Sequence, residues 1–175
     1  MKTLKNFTKF SFLALVVLLT SCSSDDGGDN PIAVEGTITA SVAGASFTSM
    51  EMATSATKIT AGGTTTIAIQ GTDMSGKTIR LQITGNAQAG TYEIGGDNVI
   101  SVIGTYIEVN IQNPQNPTTT TYVAPFQGGA VAGSITISEM TDTKVVGSFN
   151  FTAKNQSNQN DSKSITNGAF NVELD

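Results

Sequence analysis

A glycine followed by strictly alternating side chains recurs along most of this chain. The pattern appears in Gly36-Thr37-Ile38-Thr39-Ala40, Gly90-Thr91-Tyr92-Glu93-Ile94, Gly133-Ser134-Ile135-Thr136-Ile137, Gly147-Ser148-Phe149-Asn150-Phe151 and Gly168-Ala169-Phe170-Asn171-Val172. Successive side chains on a strand point to opposite faces, so a period of two marks a strand with one buried face. Ile67 and Ile69 oppose Thr66, Ala68 and Gln70, and Ile79, Leu81 and Ile83 oppose Thr78, Arg80 and Gln82. A slip of one residue would turn every charge inward, so the pairing is strongly specified. No segment beyond residue 20 sustains a helical period. Thr, Ile and Val fill the segments and suit a pleated surface. Between them stand turn signals at Gly44, Gly62-Gly63, Ser75-Gly76, Gly95-Gly96, Gly128-Gly129 and Asp142. The expected fold is all-β: a single antiparallel β-sandwich or flattened barrel of about nine or ten strands.

Two segments carry particular expectations. From Val99 to Ile111 the odd positions read Val, Ser, Ile, Thr, Ile, Val, Ile and are expected to line the core. Tyr106, Glu108 and Asn110 then share the outward face and form the candidate recognition strip. In 47–60, Phe47, Met50, Met52 and Ile59 do not share one parity, which predicts a bulge or two strands. The polar segments 113–121 and 155–161 read as loops, either binding loops or simple hairpin tips.

The first 21 residues belong to a different regime. Lys2, Lys5 and Lys9 precede the apolar run 10–19, which is too short to span a bilayer as a helix and reads as a signal peptide. The run ends in Leu19-Thr20-Ser21-Cys22, which resembles the lipobox of bacterial lipoproteins. That resemblance implies lipid attachment to Cys22 and cleavage before it. Residues 22–34 begin Cys22-Ser23-Ser24-Asp25-Asp26-Gly27-Gly28-Asp29, small and acidic, and read as a flexible tether. The Ser-Asp-Asp run resembles the export signal of surface lipoproteins in Bacteroidota. The three aspartates lack the spacing and closing glutamate of an EF-hand. The expected organisation is therefore signal peptide 1–21, lipidated tether 22–34 and β-domain 35–175. The expected location is the outer membrane, with the lipid on Cys22 as the membrane contact and the domain facing the cell surface.

Composition narrows the function classes. All three of those lysines leave with the signal, so residues 22–175 carry six basic residues against 14 acids, a net charge of −8. That balance excludes nucleic acid as a partner. The chain has no histidine and Cys22 is its only cysteine. His-dependent nucleophilic catalysis, thiol chemistry and the commonest zinc ligands are thus missing. No cofactor is implied, since the glycines lead into strands rather than helix N-termini. A two-carboxylate hydrolase could draw on Glu51, Glu93, Glu108 and Glu139, whose parities are outward or ambiguous. Ser-Lys chemistry is formally open to Lys58, Lys77, Lys144, Lys154 or Lys163. The reading is no enzyme: a binding or interaction module for a glycan, a peptide or a partner protein. A structural envelope protein without soluble ligand is the alternative.

The run from Gly133 to Ala153, with the later Ile165–Val172 and the early Ile38–Phe47, resembles a domain of unknown function found in Bacteroidota lipoproteins. The resemblance covers most of 35–175 and rests on strand and turn features. It implies a shared fold and brings no catalytic residues.

Overall fold

Alternation becomes strand wherever a turn lets the chain reverse. The structure is a computed structural model that describes residues 31–96, 101–111, 113, 115–126 and 129–175. Cys22, the expected signal peptide 1–21 and the acidic run 22–30 lie outside the described residues, as does Val99. Eleven strands occur among the described residues: β1 (Thr37–Val42), β2 (Ala45–Thr48), β3 (Thr54–Ala61), β4 (Thr64–Thr72), β5 (Thr78–Gly85), β6 (Gly90–Ile94), β7 (Ser101–Asn110), β8 (Thr118–Ala124), β9 (Gly133–Met140), β10 (Lys144–Asn155) and β11 (Ser162–Glu173). One 3-10 turn, Glu51–Ala53, separates β2 from β3. That turn is why 47–60 keeps no single parity. β2 adds a strand beyond the nine or ten expected, because four residues with one buried side chain are too few for alternation to show. At the β3–β4 hairpin Gly62 and Gly63 both hold positive φ (58° and 79°), which a two-residue turn of this hand requires.

The ladders are antiparallel and run in the order β2-β1-β11-β10-β8-β7-β5-β4-β3. β10 is shared along its length. Val145–Phe151 pair with β9, which in turn carries β6, while Lys154 and Asn155 pair with Val123 and Tyr122 of β8. Beyond β11, Leu174 forms a parallel bridge to Ala56 of β3, and the Asp175 N–H donates to the Ala56 carbonyl at 2.9 Å. The far end of the strand order is thus brought back to β11. The architecture is all-β, consistent with the expected sandwich or flattened barrel.

The core fills the space between the curled layers. Ile38, Ile69, Leu81, Ile135, Ile165 and Phe170 are fully buried, each contributing about 1.5–3 kcal/mol relative to exposure. Phe149 packs with its ring 6.1 Å from that of Phe151 and 6.3 Å from that of Phe170. Ser49 is the buried polar side chain among the described residues. Its Oγ accepts the Ile38 N–H at 2.8 Å and lies 2.7 Å from Thr54 Oγ1, so burial leaves it satisfied.

β7 corrects the expected facing. Its buried positions are Val102, Gly104 and Tyr106, the even set, while Ile103, Ile107 and Val109 are only half-buried. Register explains the inversion. Leu81 pairs with Gly104, Ile79 with Tyr106 and Ile83 with Val102, and directly paired residues share a face. β5 buries its odd positions, so β7 must bury its even ones. Tyr106, Glu108 and Asn110 do share a face, but it is the inner one, and Tyr106 is 1% exposed. The strip is therefore not an open surface.

The described chain begins on the side of β11. Ala33 is buried, and its carbonyl accepts from Asn171 Nδ2 at 3.4 Å. From there β1 runs antiparallel to β11 toward the turn at Ala43–Gly44.

Candidate functional site

The inner face of β7 becomes polar where the strand leaves the core. Tyr106 is wedged between Ile79 of β5 and Tyr122 of β8, its partners on either side. The two tyrosine rings lie 6.0 Å apart with a 37° tilt, within the favourable range for aromatic pairs. A buried phenol needs a partner for its hydroxyl. Tyr106 donates to Glu108 Oε1 at 3.2 Å, two residues further along the same face. Lys163, from the start of β11, places its ammonium 3.3 Å from that same oxygen. The Lys163 ammonium also lies 5.4 Å from the centre of the Tyr122 ring, a cation–π contact.

Tyr122 extends the network into the β10–β11 turn. Its hydroxyl donates to Asp161 Oδ2 at 2.8 Å, and Asn155 Nδ2 donates to the same oxygen at 2.9 Å. The 155–161 loop is fastened by two backbone bonds of its own, Asn155 N–H to the Asp161 carbonyl and Asp161 N–H to the Asn158 carbonyl, and by one to β8, Gln156 N–H to the Thr121 carbonyl. These bonds hold Asp161 in place for Tyr122. Burial, then the hydrogen bond to Asp161, pushes the Tyr122 phenol up to about 12. Burial, then the Glu108 charge, pushes Tyr106 higher still. The Asn155 and Tyr122 hydrogen bonds hold Asp161 below the usual carboxylate range.

A cavity of about 230 Å³ opens at this end, lined in part by Phe47, Asp73, Lys77, Tyr106, Glu108 and Lys163. Asp73 shapes the β4–β5 turn: its Oδ1 accepts the backbone N–H groups of Ser75 and Lys77 at 2.8 and 2.9 Å. Two acids and two lysines thus line a small space together with Tyr106. Asn110, the third member of the strip, is exposed at the end of β7 and does not line the cavity.

The glutamates considered for hydrolysis do not assemble. Glu108, expected outward, lies inward in the cavity, whereas Glu139 pairs with Lys144 at 3.5 Å. Glu93 faces Ser134 across the β6–β9 ladder. Glu51 lies in a different, larger groove of about 810 Å³, together with Glu35, Glu173 and Asp175. All four of those acids are exposed. Among the described residues, no group of Asp, Glu, His or Cys is arranged to hold a metal ion.

Sequence reasoning missed Asp73 and the bond between Asp161 and Tyr122. The string Asp73-Met74-Ser75-Gly76-Lys77 does carry a signal for the first, since an aspartate ahead of Ser-Gly is a common turn starter. Nothing local signals the second, which spans 39 residues.

A protein-family model described as "Domain of unknown function (DUF6252)" matches residues 35–172. Searches of curated proteins and of solved structures each returned no match.

Proposed function

The chain belongs to the DUF6252 family of domains of unknown function, and on that premise we propose that it is a lipid-anchored lipoprotein of the outer membrane. In this reading its β-domain faces the cell surface and acts as a non-catalytic binding module. The observation that carries the anchor is Leu19-Thr20-Ser21-Cys22 behind a basic segment and a short apolar run. One acyl chain holds a protein only marginally, at about 0.8 kcal/mol per buried CH₂, so durable attachment uses more than one chain on the cysteine. The acidic run after Cys22 supports surface export and leaves room for a tether.

The mouth of the domain supports binding over catalysis. A cavity lined by Asp73, Lys77, Glu108 and Lys163 offers directional polar contacts on a rigid scaffold. A glycosidase-type general acid needs an apolar enclosure to keep its proton. In the mouth cavity Asp73 is committed to the β4–β5 turn and Glu108 to Tyr106 and Lys163, while the acids of the larger groove, Glu35, Glu51, Glu173 and Asp175, are all exposed.

Cys22→Ala tests the anchor. The wild-type chain is expected in the membrane fraction and the variant in the soluble fraction. A variant that still sediments with membranes would refute the lipoprotein reading.

A further inference from the structure

The mouth cavity combines three features that together specify a ligand class. It is small: about 230 Å³, below the roughly 300–1,000 Å³ of pockets that hold drug-sized molecules. Its charges are balanced, with Asp73 and Glu108 against Lys77 and Lys163. And part of that charge is unspent. Lys163 is already engaged by Glu108 Oε1, but the Lys77 ammonium makes no ion pair with any described residue, although Asp73 shares the cavity. Asp73 commits Oδ1 to two backbone N–H groups, and Glu108 commits Oε1 to Tyr106 and Lys163. The second oxygen of each carboxylate takes no hydrogen bond or ion pair from a described residue.

A neutral sugar fits these features poorly. Sugar sites present an open aromatic face, and the two rings here, Phe47 and Tyr106, are 3% and 1% exposed. A simple anion would meet two carboxylates, and a simple cation two ammonium groups. A molecule carrying both charges a few ångströms apart answers both.

Building on the binding-module reading, we propose that the mouth cavity binds a compact zwitterion of the free α-amino acid class. The ligand carboxylate is met by Lys77, and its ammonium by Asp73 and Glu108. Lys163 and the Tyr106 hydroxyl, both on Glu108 Oε1, hold that carboxylate in place.

The experiment is a thermal-melt titration of the full chain in detergent. The probes are alanine, ethylamine, propionate and glucose. Alanine is expected to raise the melting temperature in a saturable way, while ethylamine and propionate, each carrying one of its charges, do not. Lys77→Met and Asp73→Asn should each weaken alanine binding at least tenfold. Asparagine keeps the Oδ1 acceptor of the turn, so an unliganded melt like that of the wild type shows that the fold is kept. Protection by glucose without protection by alanine would overturn the ligand class and leave the binding reading standing. Alanine protection that survives both substitutions would overturn the site. Protection by none of the probes would overturn the inference, whereas the anchor is judged separately by Cys22→Ala.

Discussion

β5 and β7 lie side by side, and by composition they look interchangeable. Each alternates branched apolar residues with polar or small ones. β5 buries the apolar set, with Ile79, Leu81 and Ile83 at 0–1% exposure. β7 does the reverse: Ile103, Ile107 and Val109 stay half-buried while Val102, Gly104 and Tyr106 go inside. The difference teaches that a strand's own pattern ranks its two faces, but its neighbour's register chooses between them. Two details make the choice workable. Gly104 clears space for the Phe151 ring, which comes to 3.0 Å of where a Cβ would stand. Tyr106 supplies a large apolar body and has Glu108 to take its proton donor.

That contrast can be broken most decisively at Tyr106. Tyr106→Ala should cost about 3–5 kcal/mol, as truncation of a buried aromatic does. Ile107→Ala, one residue away on the other face, should cost under about 1.5 kcal/mol because less apolar area leaves water. Urea midpoints for the two variants decide it, and equal costs would contradict the assigned faces. Gly104→Val comes next. It should cost about 1–3 kcal/mol by pressing on Phe151, while a valine at Thr105, on the outer face, should stay within about 0.5 kcal/mol.

The smallest effect is alkaline. Tyr106 and Tyr122 ionise later in the folded chain than in the unfolded one. Their contribution is complete below the free phenol value of about 10 and is lost as pH rises through the folded values, near 12 for Tyr122. Melting temperature should fall across that window, and Tyr122→Phe should flatten part of the fall. A phenolate absorbance titration checks the same ordering directly.

Much of the fold was legible because its strands are long and one-sided. β1, β4, β5, β9, β10 and β11 bury the positions their alternation names. β2 was hidden by its length, and the facing of β7 by information that sits in β5. The site was less legible for a related reason. Glu108 and Lys163, or Tyr122 and Asp161, meet only because the end of β10 leaves β9 and takes up β8, a switch recorded in just two residue pairs, Lys154–Val123 and Asn155–Tyr122. No local pattern announces a strand that changes partners along its length. The polar segment 155–161 was visible as a connection, but Thr118–Thr121, expected as part of the 113–121 loop, form the first half of β8 against β7, because a run of threonines suits a pleated surface as well as a turn.

The place where the chain joins the domain gives the molecule a direction. Ala33 is pinned beside Asn171, and β1 then runs six residues to Val42, a rise of roughly 20 Å. Val42 and Ala43 border the mouth cavity. On the proposed reading, an anchor fastened ahead of Pro31 would hold the domain by one end and leave the mouth at the other, like a cup on a stem. Shortening that proposed tether would then bring the base of the cup to the membrane before it obstructed the rim.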